Sequence, residues 1–168
     1  MNNRHKNSGG FSLIEVLVTL VVLSFSLFSI VTLQIKAQHF NNTARFTTQA
    51  TLIAHDMLER IRSNPAGLAL GSYNLPSATK HTNCYTLSGC IASDMAENDM
   101  YEWAGSSPSG ISHKLPSGAA VVCIDSTFDD GDPTSAACDG SGDIYAIKVW
   151  WINSSAETQR FVTTVAFK

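Results

Sequence analysis

Glu15 is the residue best placed to do unusual chemistry. It is the only charge in FSLIEVLVTLVVLSFSLFSIVTL, residues 11–33. A carboxylate among hydrocarbon is costly, and where it persists it usually has a function. It needs a cationic partner. Cleavage just before Phe11 would create an α-amino group four residues away, within reach along one helix. In a filament the same amine could come from a neighbouring subunit. A buried ion pair of that kind sets register more than it adds stability. The plain alternative is that Glu15 snorkels to a polar boundary.

Other reactive groups lie in the C-terminal half. Cys84, Cys90, Cys123 and Cys138 form an even set, which permits three disulfide pairings in an oxidising compartment. Pairing Cys84 with Cys90 and Cys123 with Cys138 closes two local loops, and this is the expected arrangement. A zinc site built from His81, Cys84, Cys90 and another thiolate lacks the usual C-x2-C spacing. Asp129, Asp130, Asp132, Asp139 and Asp143 cluster with glycines. They suit a hard cation such as calcium, yet the spacing is not that of an EF-hand, and a solvated acidic loop is the simpler reading. His39 and His55 fall on a helical stretch and His113 in a loop. No nucleophile–base set and no phosphate-cradling glycine loop stands out, so the expectation is a protein without catalysis, cofactor or resident metal.

Topology decides how these groups are used. The chain has 168 residues, 44% of them apolar, with a formal charge of −3. That charge gives no electrostatic reason to expect nucleic acid. Residues 11–33 exceed the roughly 20 apolar residues that span a bilayer. The preceding MNNRHKNSGG carries Arg4 and Lys6, which place the N-terminus on the cytoplasmic side. A secretory signal would have its small-residue cleavage site after the apolar run. Here Gly9-Gly10 precedes the run, so a cut there would leave the apolar helix in the mature chain.

Gly10-Phe11-Ser12-Leu13-Ile14-Glu15-Val16 resembles the cleavage and methylation motif of type IV prepilins. The resemblance implies cleavage after Gly10 by a prepilin peptidase and methyltransferase, and N-methylation of Phe11. It also implies pairing of Glu15 with the terminal amine of the next subunit. Glu59-Arg60-Ile61-Arg62-Ser63-Asn64-Pro65, the cysteine pair around Leu87-Ser88-Gly89, the stretch from Asp94 to Trp103 and Leu115-Pro116-Ser117-Gly118 are similar to PilV-type minor pilins. The family shape implied is a lollipop. The localisation implied is a single pass through the inner membrane with a periplasmic head, then incorporation in a surface pilus. Partners would be other minor pilins and the major pilin.

The expected organisation is a leader at 1–10, a membrane and filament-core helix at 11–33, an amphipathic half at 34–64 and a head at 65–168. No Gly or Pro interrupts residues 11–64. A helix of about 50 residues would be roughly 75 Å long. Ile35, Phe40, Ala44, Ala50, Ile53, Met57, Leu58 and Ile61 recur at mostly three- or four-residue steps and form the predicted packing stripe. Ser63-Asn64-Pro65 stops the helix, and Ala66 to Thr82 reads as a surface loop. A short helix is predicted from Ser93, as N-cap, to Trp103. Strands are predicted at 119–125, 144–152 and 159–167, the last two as a hairpin. The fold class is α+β, an antiparallel sheet packed on the amphipathic half of the helix. Three functions compete: a minor pilin of the type IV pilus, a pseudopilin of a type II secretion system, and a tip module for adhesion or DNA uptake.

Overall fold

The computed structural model describes residues 12–105, 107–153 and 155–166. They fall into two units that divide between Asn41 and Asn42. The first helix, α1, spans Leu13–Ser63. In the N-terminal unit it stands alone, and every side chain from Ser12 to Gln38 is exposed.

In the C-terminal unit α1 supplies Ala50, Ile53, Ala54, Met57, Leu58 and Ile61 to one apolar core. These positions share one helical face. Ile35 and Phe40 were expected on that stripe, but they are 62% and 71% exposed, and Ala44 is exposed as well. Packing begins only near Phe46, which is partly buried against the core. Periodicity identifies a face, whereas burial requires a partner opposite that turn.

The helix stops at Asn64, whose backbone N–H reaches Ile61 O at 3.2 Å. A second helix, α2, follows at Pro65–Ala69 where a loop was expected. Asn64 caps it by accepting from Gly67 N at 3.1 Å, and proline at the first helical position has no N–H to leave unpaired. The third helix, α3, spans Ala92–Trp103. It starts one residue before the predicted Ser93 cap: Ile91 occupies the cap position and makes no side-chain capping bond. Trp103 closes α3 onto α1, donating its indole Nε1–H to Ile53 O at 2.8 Å.

Three antiparallel strands follow in the order β1-β2-β3: β1 at Ala119–Ile124, β2 at Ile144–Ile152 and β3 at Thr158–Ala166. The predicted strands are present to within a residue at each described end. Asp125 and Gln159 mark the shifts, and Phe167 lies outside the described residues. The β2–β3 hairpin turns through Asn153, whose side chain accepts from Ser155 N and Glu157 N, both at 2.9 Å. Tyr145, Ile147, Val149 and Trp151 on β2 face the α1 core together with Val122 of β1. Each such buried side chain contributes on the order of 1.5–3 kcal/mol. Disulfides join Cys84 to Cys90 and Cys123 to Cys138.

Candidate functional site

The N-terminal unit presents an apolar surface with no protein partner among the described residues. Leu13, Ile14, Phe25, Phe28 and Leu33 are each more than two-thirds exposed, at 68–82%. An isolated surface of that size on a soluble protein would be a sticking point, so it belongs against lipid or another helix. Its hydroxyls are already satisfied. Thr19, Ser24, Ser26, Ser29 and Thr32 donate to carbonyls three or four residues earlier, at 2.7–3.2 Å. That local bonding removes the polar penalty such side chains would carry in hydrocarbon.

Glu15 lies in the first turn of α1 and its side chain is exposed. A carboxylate there is favoured by the helix dipole. Gly10 and Phe11, the expected cleavage and methylation positions, lie outside the described residues.

In the C-terminal unit, α3 is an acidic helix, and its Glu97, Asp99 and Glu102 are each received by a specific partner. Arg60 sits at the hub. Its Nη1 donates to Asp99 Oδ1 at 3.1 Å and to Glu102 Oε2 at 2.8 Å, while Nε reaches Asp56 at 3.2 Å. Tyr73 donates to Asp99 Oδ2 at 2.7 Å, and Asn64 Nδ2 donates to Tyr73 at 3.2 Å and to Ala92 O at 2.8 Å. Tyr85, one residue past Cys84, donates to Glu102 at 2.6 Å. His81 Nε2 lies 2.8 Å from Glu97. The helix end, α3 and the Cys84–Cys90 loop are thus one connected polar network. His81 is engaged with Glu97, and Cys84 and Cys90 with each other, so these residues are not arranged as the zinc set weighed from sequence.

The acidic loop after β1 is organised around two cations of the chain itself. Lys148, on β2, is fully buried. Its Nζ lies 2.6 Å from Asp125 Oδ2 and 2.9 Å from Asp130 Oδ1. It also donates to Ala136 O at 2.8 Å and to Asp130 O at 3.2 Å. Arg160, on β3, donates to Asp129 Oδ1 and O and to Gly131 O at 2.8–2.9 Å. Asp132 accepts from Thr134 N and Ser135 N, and Asp139 from Ser126 and Ser141 N. Gly131 sits at φ +82°, and a Cβ there would collide with Ala136 O, so only glycine suits this turn. Lys148 and Arg160 therefore supply positive charge at Asp130 and Asp129, two of the five aspartates at which a calcium ion was weighed. Asp125 also lies within 4.8 Å of the sulfurs of Cys123 and Cys138. Both sulfurs are spent in a disulfide and offer no thiolate.

Lys148, Asp125 and Arg160 are the organising residues that sequence patterning missed. The signal was the near-continuous apolar run IYAIKVWWI of β2. A strand that is apolar on both sides is covered on both faces, so its single lysine had to be buried and paired.

These contacts fix how the unit responds to acid. His81 beside Glu97 holds that carboxyl below its ordinary value of 4.5. Burial pushes Glu102 up, but the hydroxyl of Tyr85 and the guanidinium of Arg60 bring it lower overall. Lys148 lowers Asp130, Thr134 lowers Asp132 and Ser126 lowers Asp139. Burial raises Asp99, against the pull of Tyr73 and Arg60. A lowered carboxyl contributes stability above its unfolded value, and that contribution is lost as pH falls through the folded value. Asp99 acts in the opposite sense and recovers a part on protonation. The melting temperature of the detergent-solubilised chain should hold between neutrality and about pH 5, then fall below about pH 4.5. Near-UV circular dichroism checks this, and an unchanged melt down to about pH 3 would contradict it.

Comparison with known proteins yields two family matches. Residues 32–101 match the family described as Type IV pilin Tt1218. Residues 5–31 match the prokaryotic N-terminal methylation motif, a stretch that includes Gly10, Phe11 and Glu15. No curated protein and no solved structure matches the chain.

Proposed function

We infer that this chain, which is a type IV pilin-like protein by its two family matches, its long N-terminal helix and its small antiparallel sheet, acts as a minor pilin of the PilV type. Its pilin role is structural. Residues 1–10 act as a leader that prepilin peptidase removes, and Phe11 becomes the methylated N-terminus. Residues 11–33 hold the subunit in the inner membrane and later pack in the filament core. Residues 34–64 connect to a periplasmic head, residues 65–168. Other minor pilins and the major pilin are the partners, and assembly supports pilus biogenesis, twitching motility and surface attachment.

One observation carries this reading. The apolar half of α1 is exposed along its length, its hydroxyls are internally bonded, and its one carboxylate stands in the first turn, inside the matched motif. In a filament core Glu15 meets the amine of Phe11 on the neighbouring subunit. Removing one member of a buried charge pair costs about 3–5 kcal/mol, or at least about a hundredfold in association. Glu15→Ala should therefore abolish incorporation while the C-terminal unit keeps its wild-type melting profile. Immunoblots of sheared pili and of membranes measure incorporation, and a thermal melt of the detergent-solubilised chain measures the second. Normal piliation in that strain would overturn the reading. Intact pili with lost export of folded proteins would instead assign the chain to a secretion pseudopilin.

A further inference from the structure

Lys148 and Asp125 form a fully buried amine–carboxyl pair on adjoining strands. Lys148 is central in β2, and Asp125 directly follows β1. Both side chains are 0% exposed, with Nζ 2.6 Å from Oδ2. Despite that approach, Oδ2 has no hydrogen-bond partner, so the amine lies against the carboxyl group away from a hydrogen-bonding direction. The other oxygen, Oδ1, is held by the backbone N–H of Thr127 at 3.1 Å. A second carboxylate is in reach: Asp130 Oδ1 lies 2.9 Å from Nζ. Thr127 Oγ1 fixes Asp130 by donating to its Oδ2 at 3.0 Å. Unlike the pair, the Asp130 side chain is 45% exposed.

We propose that Lys148 Nζ and Asp125 Cγ condense to an intramolecular isopeptide bond, with Asp130 as the proton carrier. A desolvated ammonium–carboxylate pair is costly, and nucleophilic attack requires the pair in its neutral form. Proton transfer within the pair gives a free amine and a carboxylic acid. The Nζ lone pair attacks Cγ, and the charge that develops on Oδ1 is met by the Thr127 N–H, a fixed donor in a water-poor site. Asp130 takes a proton from Nζ and delivers it to Oδ2, which leaves as water. One C–N bond forms, one C–O bond breaks, and Asp130 returns to its starting state. The fixed approach of the two groups replaces the encounter that makes such condensations slow in solution. The partly exposed Asp130 lies on the side by which water can leave. The product ties the central strand to the end of β1, beside the Cys123–Cys138 disulfide.

The sequence makes the test sharp, because no lysine or arginine occurs between Lys114 and Lys148, and Arg160 is the next after it. The full chain is purified in detergent, reduced, alkylated and digested with trypsin. An amide at Lys148 blocks cleavage there, so the expected product is a single peptide covering residues 115–160, lighter than its sequence by one water. Asp130→Asn should instead release residues 115–148 at full mass. Free 115–148 from the wild-type chain at full mass would overturn the proposal. So would loss of water with normal cleavage after Lys148, the mark of a succinimide. Persistence of the cross-link in Asp130→Asn would overturn the role given to Asp130.

Discussion

Lys148→Met is expected to be among the most damaging single changes in the C-terminal unit, lowering stability by about 3–5 kcal/mol. Methionine fills most of the space but brings no charge. Asp125 would then stay fully buried without its amine partner, whether paired or cross-linked, and the carbonyl of Ala136 would lose its donor. The cost comes mainly from the group left behind, since a buried pair gains little over well-packed apolar residues. Lys148→Met combined with Asp125→Leu should therefore recover much of the loss, a coupling that single variants cannot reveal. Urea unfolding followed by tryptophan fluorescence measures both, with Trp150 and Trp151 on the same strand as reporters. A midpoint for Lys148→Met equal to wild type would show that the loop does not depend on this cation.

Trp103→Ala should cost about 3–5 kcal/mol. The indole is 2% exposed and closes α3 against α1. Removing it opens a cavity where the acidic helix meets the core, and Asp99, the acceptor of the Arg60–Asp99–Tyr73 network, sits on that same helix. Trp103→Phe keeps most of the apolar volume and loses only the bond to Ile53 O, a change of about 1 kcal/mol. Thermal melts of the detergent-solubilised chain should place the alanine variant about 10 °C or more below wild type. The phenylalanine variant should lie between them. Equal melting of the two variants would mean that the hydrogen bond, and not the packed ring, is what matters.

The sequence made the framework readable where one physical constraint acts locally. The absence of Gly and Pro from residues 11–64, followed by Pro65, set the extent of α1. Alternation marked β2 and β3, and Asn153-Ser154-Ser155 marked their turn. The misses share a different cause. Ile35, Phe40 and Ala44 keep the helical period yet stay exposed, because period reports direction and not the presence of a neighbour. Lys148 looked like a polar residue on an open strand face. Its burial depends on a loop that closes over that face through contacts between residues 12 or more positions apart in sequence. Ile91 begins α3 without a capping side chain, and Asn64 Nδ2 ties the helix start to the end of α1 by donating to Ala92 O. In each case the presence or absence of a long-range neighbour, and not the local pattern, decided the outcome.

The serine and threonine hydroxyls of the apolar helix have one more consequence. Each spends its hydrogen on its own backbone, so the rod carries its polar accounts closed wherever it goes. Passing from fatty acyl chains into a bundle of like helices then exchanges one set of dispersion contacts for another, with no hydrogen bond to break or find. Such a transfer has a small barrier in either direction, which suits a part that must be drawn out of one greasy medium and returned to it.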